Sequence, residues 1–190
     1  MYFSHQKMCS NIATLFGLSE DDTRKLLIDS GLQWQIERGD ISEQQFQQQL
    51  EEQTGTRVAE QELKLAAADI FRLNESIEPL LAELKDLGLR LVLLSNTSVT
   101  HLNFIQERFS VLSYFDAFTT SFAARALKPE MPIYQHALHN AQCAAHECFY
   151  TDDIKPYVQA ARGLGIHAEL YTETDLTRQQ LRQLGVPVRL

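Results

Sequence analysis

The chain has 190 residues, of which 44% are hydrophobic and 22% are charged. This is enough apolar side chain for one buried core, or for a core domain with a small helical insertion. Acidic residues outnumber basic ones by 25 to 17, the formal net charge is -8, and no run of Lys and Arg occurs, so neither nucleic acid nor an anionic membrane is an expected partner. Because the sequence lacks a secretory signal and a membrane-length apolar run, we expect a cytoplasmic protein.

The three cysteines are Cys9, Cys143 and Cys148. Their number is odd and they lack CxxC spacing, so neither a disulfide framework nor a zinc ribbon is predicted. We expect buried or partly buried free thiols. His136, His139 and Cys143 have i, i+3, i+7 spacing, which could place zinc ligands on one helix face. The same predicted helix must also present apolar residues to the core, and this favours a structural role.

Residues 1–74 have a helical pattern and are predicted to form a helical cap region. Ser19 and Ser42 each precede acidic or amide residues in capping-box spacing, so a helix is expected to begin after each of them. Apolar side chains recur at i, i+3 and i+4 in the segments that follow. Trp34 has the same helical spacing, and we interpret it as a packing residue.

Residues 75–190 change period and are predicted to form a Rossmann-like core. Short apolar runs of strand length alternate with helical stripes, which indicates a parallel sheet covered on both faces. The predicted strands are Arg90–Leu94, Ala117–Ser121, Cys148–Thr151 and Ala168–Tyr171. The predicted fold class is therefore α/β, with a small helical cap.

Polar residues follow the apolar runs at three places, where ligands of parallel sheets usually bind. Ser95 and Asn96 follow the first run and suit the binding of phosphate oxygens. Lys128 comes after the second predicted strand and could neutralise a transferring phosphoryl group. Asp152 and Asp153 end the third run, where adjacent carboxylates favour a cation such as Mg²⁺. Taken singly, each cluster has a structural alternative: a helix-capping stretch for Ser95 and Asn96, a solvated surface lysine for Lys128, and a loop with a helix N-cap for the two aspartates.

The order of these clusters resembles the second, third and fourth motifs of the haloacid dehalogenase (HAD) superfamily. The matching stretches are 92–97, 128–137 and 149–165, and the helical region with Glu37-Arg38-Gly39-Asp40 is similar to the small cap of that family. Within the superfamily, the sequence most resembles cytosolic sugar-phosphate phosphatases of the glucose-1-phosphate phosphatase type. The resemblance implies a HAD-like core, Mg²⁺ as cofactor and a small phosphorylated metabolite as substrate, and leaves the oligomeric state open.

The resemblance also implies a role for each matching residue. Ser95 would bind the phosphoryl oxygens, and Asn96 would orient neighbouring groups or substrate. Lys128 would stabilise the phosphoryl charge and the nucleophile. Asp153 would bind the magnesium ion, assisted by Asp152 directly or through water. Members of the family form an aspartyl-phosphate on an aspartate at the end of their first strand.

That nucleophilic aspartate has no counterpart in the chain. Asp21 and Asp22 are its first aspartates, and both belong to a predicted cap helix. In the family the first strand lies at the centre of the sheet, and its loss would expose two unpaired edges. We therefore expect that the chain is truncated, either as a fragment or through a misplaced start, and that its natural product begins roughly 15 to 20 residues upstream. Tyr157 is a further departure, because many relatives have Asn or Asp there, and it puts a polar contact to the metal ligands in doubt.

Two other functions fit the same residues. One is a metal-free haloacid dehalogenase, which shares the Ser, Asn and Lys elements; the paired Asp152 and Asp153 disfavour it, because chemistry without a metal has no use for two uncompensated carboxylates. The other is a catalytically inactive HAD-like protein that binds phosphate or a partner. The missing nucleophile favours it, whereas the retained Ser95, Lys128 and Asp153 do not.

Overall fold

The computed structural model describes residues 1–189. Its helices are α1 (His5–Phe16), α2 (Glu20–Arg24), α3 (Leu32–Arg38), α4 (Glu43–Thr54), α5 (Glu60–Ala68), α6 (Glu78–Asp86), α7 (Val99–Arg108), α8 (Ser121–Ala124), α9 (Met131–Ala141), α10 (Lys155–Gly163) and α11 (Thr174–Gln183). Its strands are β1 (Val92–Ser95), β2 (Ala117–Thr120), β3 (Phe149–Asp152) and β4 (His167–Leu170). A π-helical turn at Lys25–Asp29 follows α2, and 3-10 turns lie at Glu75–Ile77, Ser110–Tyr114 and Ala145–Glu147.

The chain divides into two compact units. The first, which we call the helical unit, comprises Met1–Leu73, Asn96–Ser110 and Ser121–Arg125. The second, the sheet unit, comprises Asn74–Ser95, Val111–Thr120 and the chain from Ala126 onward. The assignment of residues 1–74 as a cap and 75–190 as a catalytic core stays a prediction.

The helical unit is built from short helices with strong local start and stop signals. Ser42 and Gln45 form a complete capping box, since each side chain accepts a hydrogen bond from the backbone N–H of the other, at 3.1 and 2.8 Å. The Ser19 hydroxyl caps α2 by accepting from the Asp22 N–H at 3.1 Å, and it donates to the Asp22 carboxylate rather than completing a box. The predicted helix starts are therefore confirmed.

The core of the helical unit gathers the apolar faces of these helices. Its fully buried members are Met8, Ile12, Leu27 and Leu50. Each such aliphatic side chain stabilises the fold by about 1.5 to 3 kcal/mol relative to an exposed one. The unit thus has a hydrophobic core of its own.

The sheet unit has four parallel strands arranged as two separate pairs. β1 pairs with β2 in the register Val92↔Ala117 to Ser95↔Thr120. β3 pairs with β4 in the register Phe149↔His167 to Asp152↔Leu170. Among residues 1–189 no ladder joins β1 to β3, so these strands belong to different sheets. Each strand therefore has one unpaired edge.

The predicted α/β fold with parallel strands is confirmed, and each strand differs from its predicted bounds by no more than two residues. β1 extends through Ser95 and β3 through Asp152, so these polar residues close the strands rather than follow them. Apolar runs underestimate such ends because a terminal polar residue can join the ladder while its side chain faces away from the core. Within residues 1–189, no helix has both the length and the apolar character needed to cross a membrane.

Candidate active site

Lys128 connects the carboxyl ends of β1 and β3. Its ammonium donates to the Leu94 carbonyl at 3.2 Å and to Oδ2 of Asp152 at 2.6 Å. Both side chains of the ion pair are only 9% exposed, which distinguishes it from a solvated surface pair. The structure therefore brings together two of the predicted site residues that lie 24 positions apart in the chain.

The Asp152 carboxylate is fully engaged by protein donors. Oδ2 also accepts from the Tyr150 hydroxyl at 2.6 Å, and Oδ1 accepts from the Ile154 N–H at 2.9 Å, where the chain turns into α10. A buried carboxylate requires such compensation. Burial and the charge of Asp152 both raise the pKa of Tyr150, so this hydroxyl stays protonated and remains a donor. Asp152 is thus fixed in position by Lys128, Tyr150 and Ile154.

Asp153 differs from its neighbour because its residue is exposed. It directly follows the end of β3, at the same edge as Lys128. Among residues 1–189, no cluster of three or more His, Cys, Asp or Glu side chains forms a complete metal cage. Mg²⁺ commonly uses only one or two carboxylates and completes its octahedral shell with water and substrate phosphate, so a single accessible carboxylate at this edge fits that ion.

Ser95 and Asn96 lie at the end of β1. Ser95 is the last residue of the strand, beside the Leu94 carbonyl that accepts from Lys128. Asn96 falls in the helical unit, just before Ser98, whose hydroxyl caps α7 by accepting from the His101 N–H at 3.2 Å. The predicted strand, polar turn and helix are therefore present in that order.

Tyr157 packs against the lysine, and Tyr134, which was not predicted as part of the site, supports it. The Lys128 ammonium lies 4.9 Å from the ring centroid of Tyr157, within the range of a cation-π interaction. The Tyr134 hydroxyl donates to the Tyr157 carbonyl at 2.9 Å and so holds the turn that presents this ring. Tyr157 therefore replaces the expected amide or carboxylate with an aromatic contact to the lysine.

The unpaired edges of β1 and β3 belong to strands that are only partly buried. All four residues of β1 and all four of β3 have intermediate exposure, although both strands include large apolar side chains. The Thr151 hydroxyl is buried and has no hydrogen-bond partner within residues 1–189. An incompletely covered apolar strand and an unsatisfied buried hydroxyl are both uncommon in a well-packed protein core.

Other predicted features are also located. α9 ends at Ala141 because Gln142 adopts a left-handed conformation with φ 60°, so Cys143 does not share a helix face with His136 and His139. The expectation that all cysteines are at least partly buried is wrong for Cys143, which is exposed. Tyr150 was missed, although it lies two residues before Asp152 on the same face of β3, and this period-two spacing could have identified it.

A family match and a similar protein both relate this chain to known hydrolases. The haloacid dehalogenase-like hydrolase family matches residues 8–165. The sesquiterpene phosphatase astK of Aspergillus oryzae is 28% identical over 163 residues, which cover 83% of this chain and 81% of that protein.

Solved structures share the fold. A HAD family enzyme from Bacteroides thetaiotaomicron, in complex with magnesium and inorganic phosphate, has a TM-score of 0.79 at 22% identity, with 93% of this chain and 92% of that one covered. A HAD-like family hydrolase from Porphyromonas gingivalis has a TM-score of 0.80 at 20% identity, with 97% and 91% covered. With its motifs in family order and a family match over most of its length, the chain belongs to the haloacid dehalogenase-like hydrolases.

Proposed function

We propose that this chain is the phosphate- and magnesium-binding part of a phosphatase that hydrolyses a small phosphomonoester. The observation that supports this most strongly is the position of Lys128, whose ammonium is held at the carboxyl ends of both β1 and β3. A fixed cation at this edge stabilises negative charge on a transferring phosphoryl group without reorganising during the reaction. The relative named a phosphatase supports the same reaction class.

The other site residues have complementary roles in the proposal. The Ser95 hydroxyl donates to a phosphoryl oxygen at the end of β1, and Asn96 orients the neighbouring groups or the substrate. Asp152 acts mainly as a positioning residue, because its oxygens already accept from Lys128, Tyr150 and Ile154. Asp153 is the direct carboxylate ligand of Mg²⁺. When bound, the ion neutralises phosphate charge and orients the ester for in-line attack.

The nucleophile in this proposal is an aspartate at the end of a further parallel strand between β1 and β3. The free edges of these two strands, their partial burial and the unpartnered Thr151 hydroxyl support the insertion. In the family chemistry the carboxylate forms a bond to phosphorus while the bond to the leaving alcohol breaks, and water then hydrolyses the aspartyl-phosphate.

Ligand-dependent stability of the chain tests the binding site. We expect inorganic phosphate together with Mg²⁺ to raise the melting temperature more than either alone, because each ligand completes the site of the other. Asp153→Asn should abolish the magnesium-dependent part, whereas Asp86→Asn, which changes an exposed carboxylate of α6, should leave it intact. Equal stabilisation of both variants would contradict the assignment of Asp153.

A metal-free haloacid dehalogenase is the second candidate. The hydrogen bonds that Asp152 accepts support it more than the sequence alone does. Protein donors alone satisfy this carboxylate, so only Asp153 remains without compensation. The two functions differ in their metal requirement. Chloride release from a 2-chloroalkanoic acid in the presence of a chelator, by a form that includes the missing strand, would support the dehalogenase.

A further inference from the structure

Cys143 and Cys148 form a close pair of thiols on the surface of the sheet unit. Their sulfur atoms are 3.3 Å apart. Cys143 is exposed and Cys148 is half-buried, and both are free cysteines. This pair lies in the connection between α9 and β3, and it takes no part in the site at the other end of β3.

Hydrogen bonds of the surrounding backbone fix the positions of the two cysteines. The Cys148 carbonyl accepts from the His167 N–H at 3.1 Å, which fixes Cys148 to the start of β4. The Glu147 carboxylate accepts from the Ala144 N–H at 2.9 Å and closes the turn between the cysteines. A disulfide bond is about 2 Å long, so the two sulfur atoms need to approach by only about 1 Å.

We propose that Cys143 and Cys148 are an oxidation site that reacts with small-molecule disulfides of the glutathione class to form an intrachain disulfide. First, the Cys143 thiolate attacks one sulfur of the small disulfide; a mixed disulfide forms and one small thiol leaves. The Cys148 thiol then loses its proton to solvent, and its sulfur attacks Cys143, which releases the second small thiol. Two protein thiols are oxidised, and one small disulfide is reduced to two thiols.

The environments of the two sulfurs assign this order of attack. Cys143 is the accessible thiol, so a small disulfide reaches it first. Burial, together with the hydrogen bond to Cys143, raises the pKa of Cys148 to about 12, which makes it a poor first nucleophile. Cys9 is buried and burial raises its pKa as well, so it provides an internal thiol that should not react.

The proposed oxidation is separate from the phosphatase chemistry. Cys148 precedes β3, and Asp152 ends it; at a rise of ~3.3 Å per residue, the two lie roughly 13 Å apart along the strand. Disulfide formation therefore closes a surface turn without touching the ion pair of Lys128. Formation of this disulfide does not depend on whether the protein is a phosphatase.

Peptide mapping of the intact chain tests this proposal. The protein is equilibrated with oxidised glutathione, remaining thiols are alkylated in denaturant, and a protease that cleaves after glutamate is added. Cleavage after Glu147 separates the cysteines into peptides 131–147 and 148–169, so only a disulfide can hold these peptides together. We expect the linked pair, its release by reductant, and full alkylation of Cys9.

Serine variants test the order of attack. In Cys148→Ser the glutathione adduct should accumulate on Cys143, whereas in Cys143→Ser the remaining Cys148 should react roughly tenfold or more slowly than Cys143 does. A stable glutathione adduct on wild-type Cys143 without the linked peptides would overturn the proposal. So would a disulfide that joins Cys143 of two chains. The wild-type map decides the matter even where a variant fails to fold.

Discussion

The ammonium of Lys128 lies 2.6 Å from Oδ2 of Asp152, and both side chains are 9% exposed. Such a pair is costly to break from one side, because the remaining charge stays buried without its partner. The hydroxyl of Tyr150 and the N–H of Ile154 donate to the same carboxylate. The ion pair is therefore both the most constrained group of the candidate site and a structural link between the ends of β1 and β3.

Replacing Lys128 by methionine should destabilise the fold by about 3 to 5 kcal/mol, since the buried Asp152 carboxylate loses its counter-ion. Urea denaturation followed by circular dichroism measures this change. Lys155→Met, which removes a charge from an exposed position at the start of α10, should alter stability by no more than about 0.5 kcal/mol. Similar losses in both variants would show that burial of the ion pair makes no additional contribution to the free energy of unfolding.

Tyr150→Phe should cost about 2 kcal/mol, because the hydroxyl donates to a charged acceptor. Tyr134→Phe is the matched control: its hydroxyl donates to a neutral carbonyl, that of Tyr157, and its loss should cost only about 1 kcal/mol. Each change removes only a hydroxyl and keeps the ring, so the edge-to-face contact between the two rings, whose centroids are 6.0 Å apart, is retained in both variants. The free energies of unfolding from denaturant titration give the comparison, and a larger loss for Tyr134→Phe would contradict it.

Gly39 is a position where both the backbone and a neighbour exclude a side chain. Its φ is +78°, and a Cβ atom there would lie 2.9 Å from the Phe122 carbonyl oxygen. Gly39→Ala should therefore cost about 3 kcal/mol, the sum of left-handed strain and a steric clash with the backbone. Gly55→Ala has φ +69° and open space around it, so it should cost only about 1 to 2 kcal/mol. Melting curves of the two variants distinguish strain from clash, and equal losses would rule out the clash.

His101 should make the stability of the helical unit depend on pH. Burial lowers its pKa from 6.5 to about 4, while its Nε2 lies 3.2 Å from the Ala67 carbonyl oxygen. The unfolded chain therefore binds a proton that the folded chain does not, and stability falls as pH drops from about 6.5 to about 4. The loss is on the order of 3 kcal/mol.

Two glutamine variants isolate this contribution. In His101→Gln the fall in unfolding free energy between pH 7 and about pH 4 should shrink by up to that amount, since glutamine does not titrate. His139→Gln, at an exposed position of α9, should retain the wild-type dependence. Denaturant titrations at a series of pH values provide the measurement, and an unchanged slope in His101→Gln would contradict the assignment.

Local patterns in the sequence were sufficient to predict the elements and, to within two residues, the ends of the strands, but not the partners of the polar residues. The apolar runs located β1 and β3, the polar residues at their ends identified Ser95 and Asp153 as candidates, and Lys128 was identified in the segment after β2. The pairing of Lys128 with Asp152 could not be predicted because it spans 24 residues and depends on how the chain crosses between strands. The thiol pair of Cys143 and Cys148 is local in the sequence, but it could not be predicted because it depends on α9 ending at Ala141.

Turnover of an aryl phosphate in the presence of Mg²⁺ tests the central claim most directly. The comparison is between this chain and a form extended at its amino end to include a strand that ends in aspartate. We predict activity in the extended form alone, lost in its Asp153→Asn variant and retained in Asp86→Asn. Inactivity of both forms, with the shorter chain well folded and binding phosphate, would contradict the phosphatase and favour a binding protein.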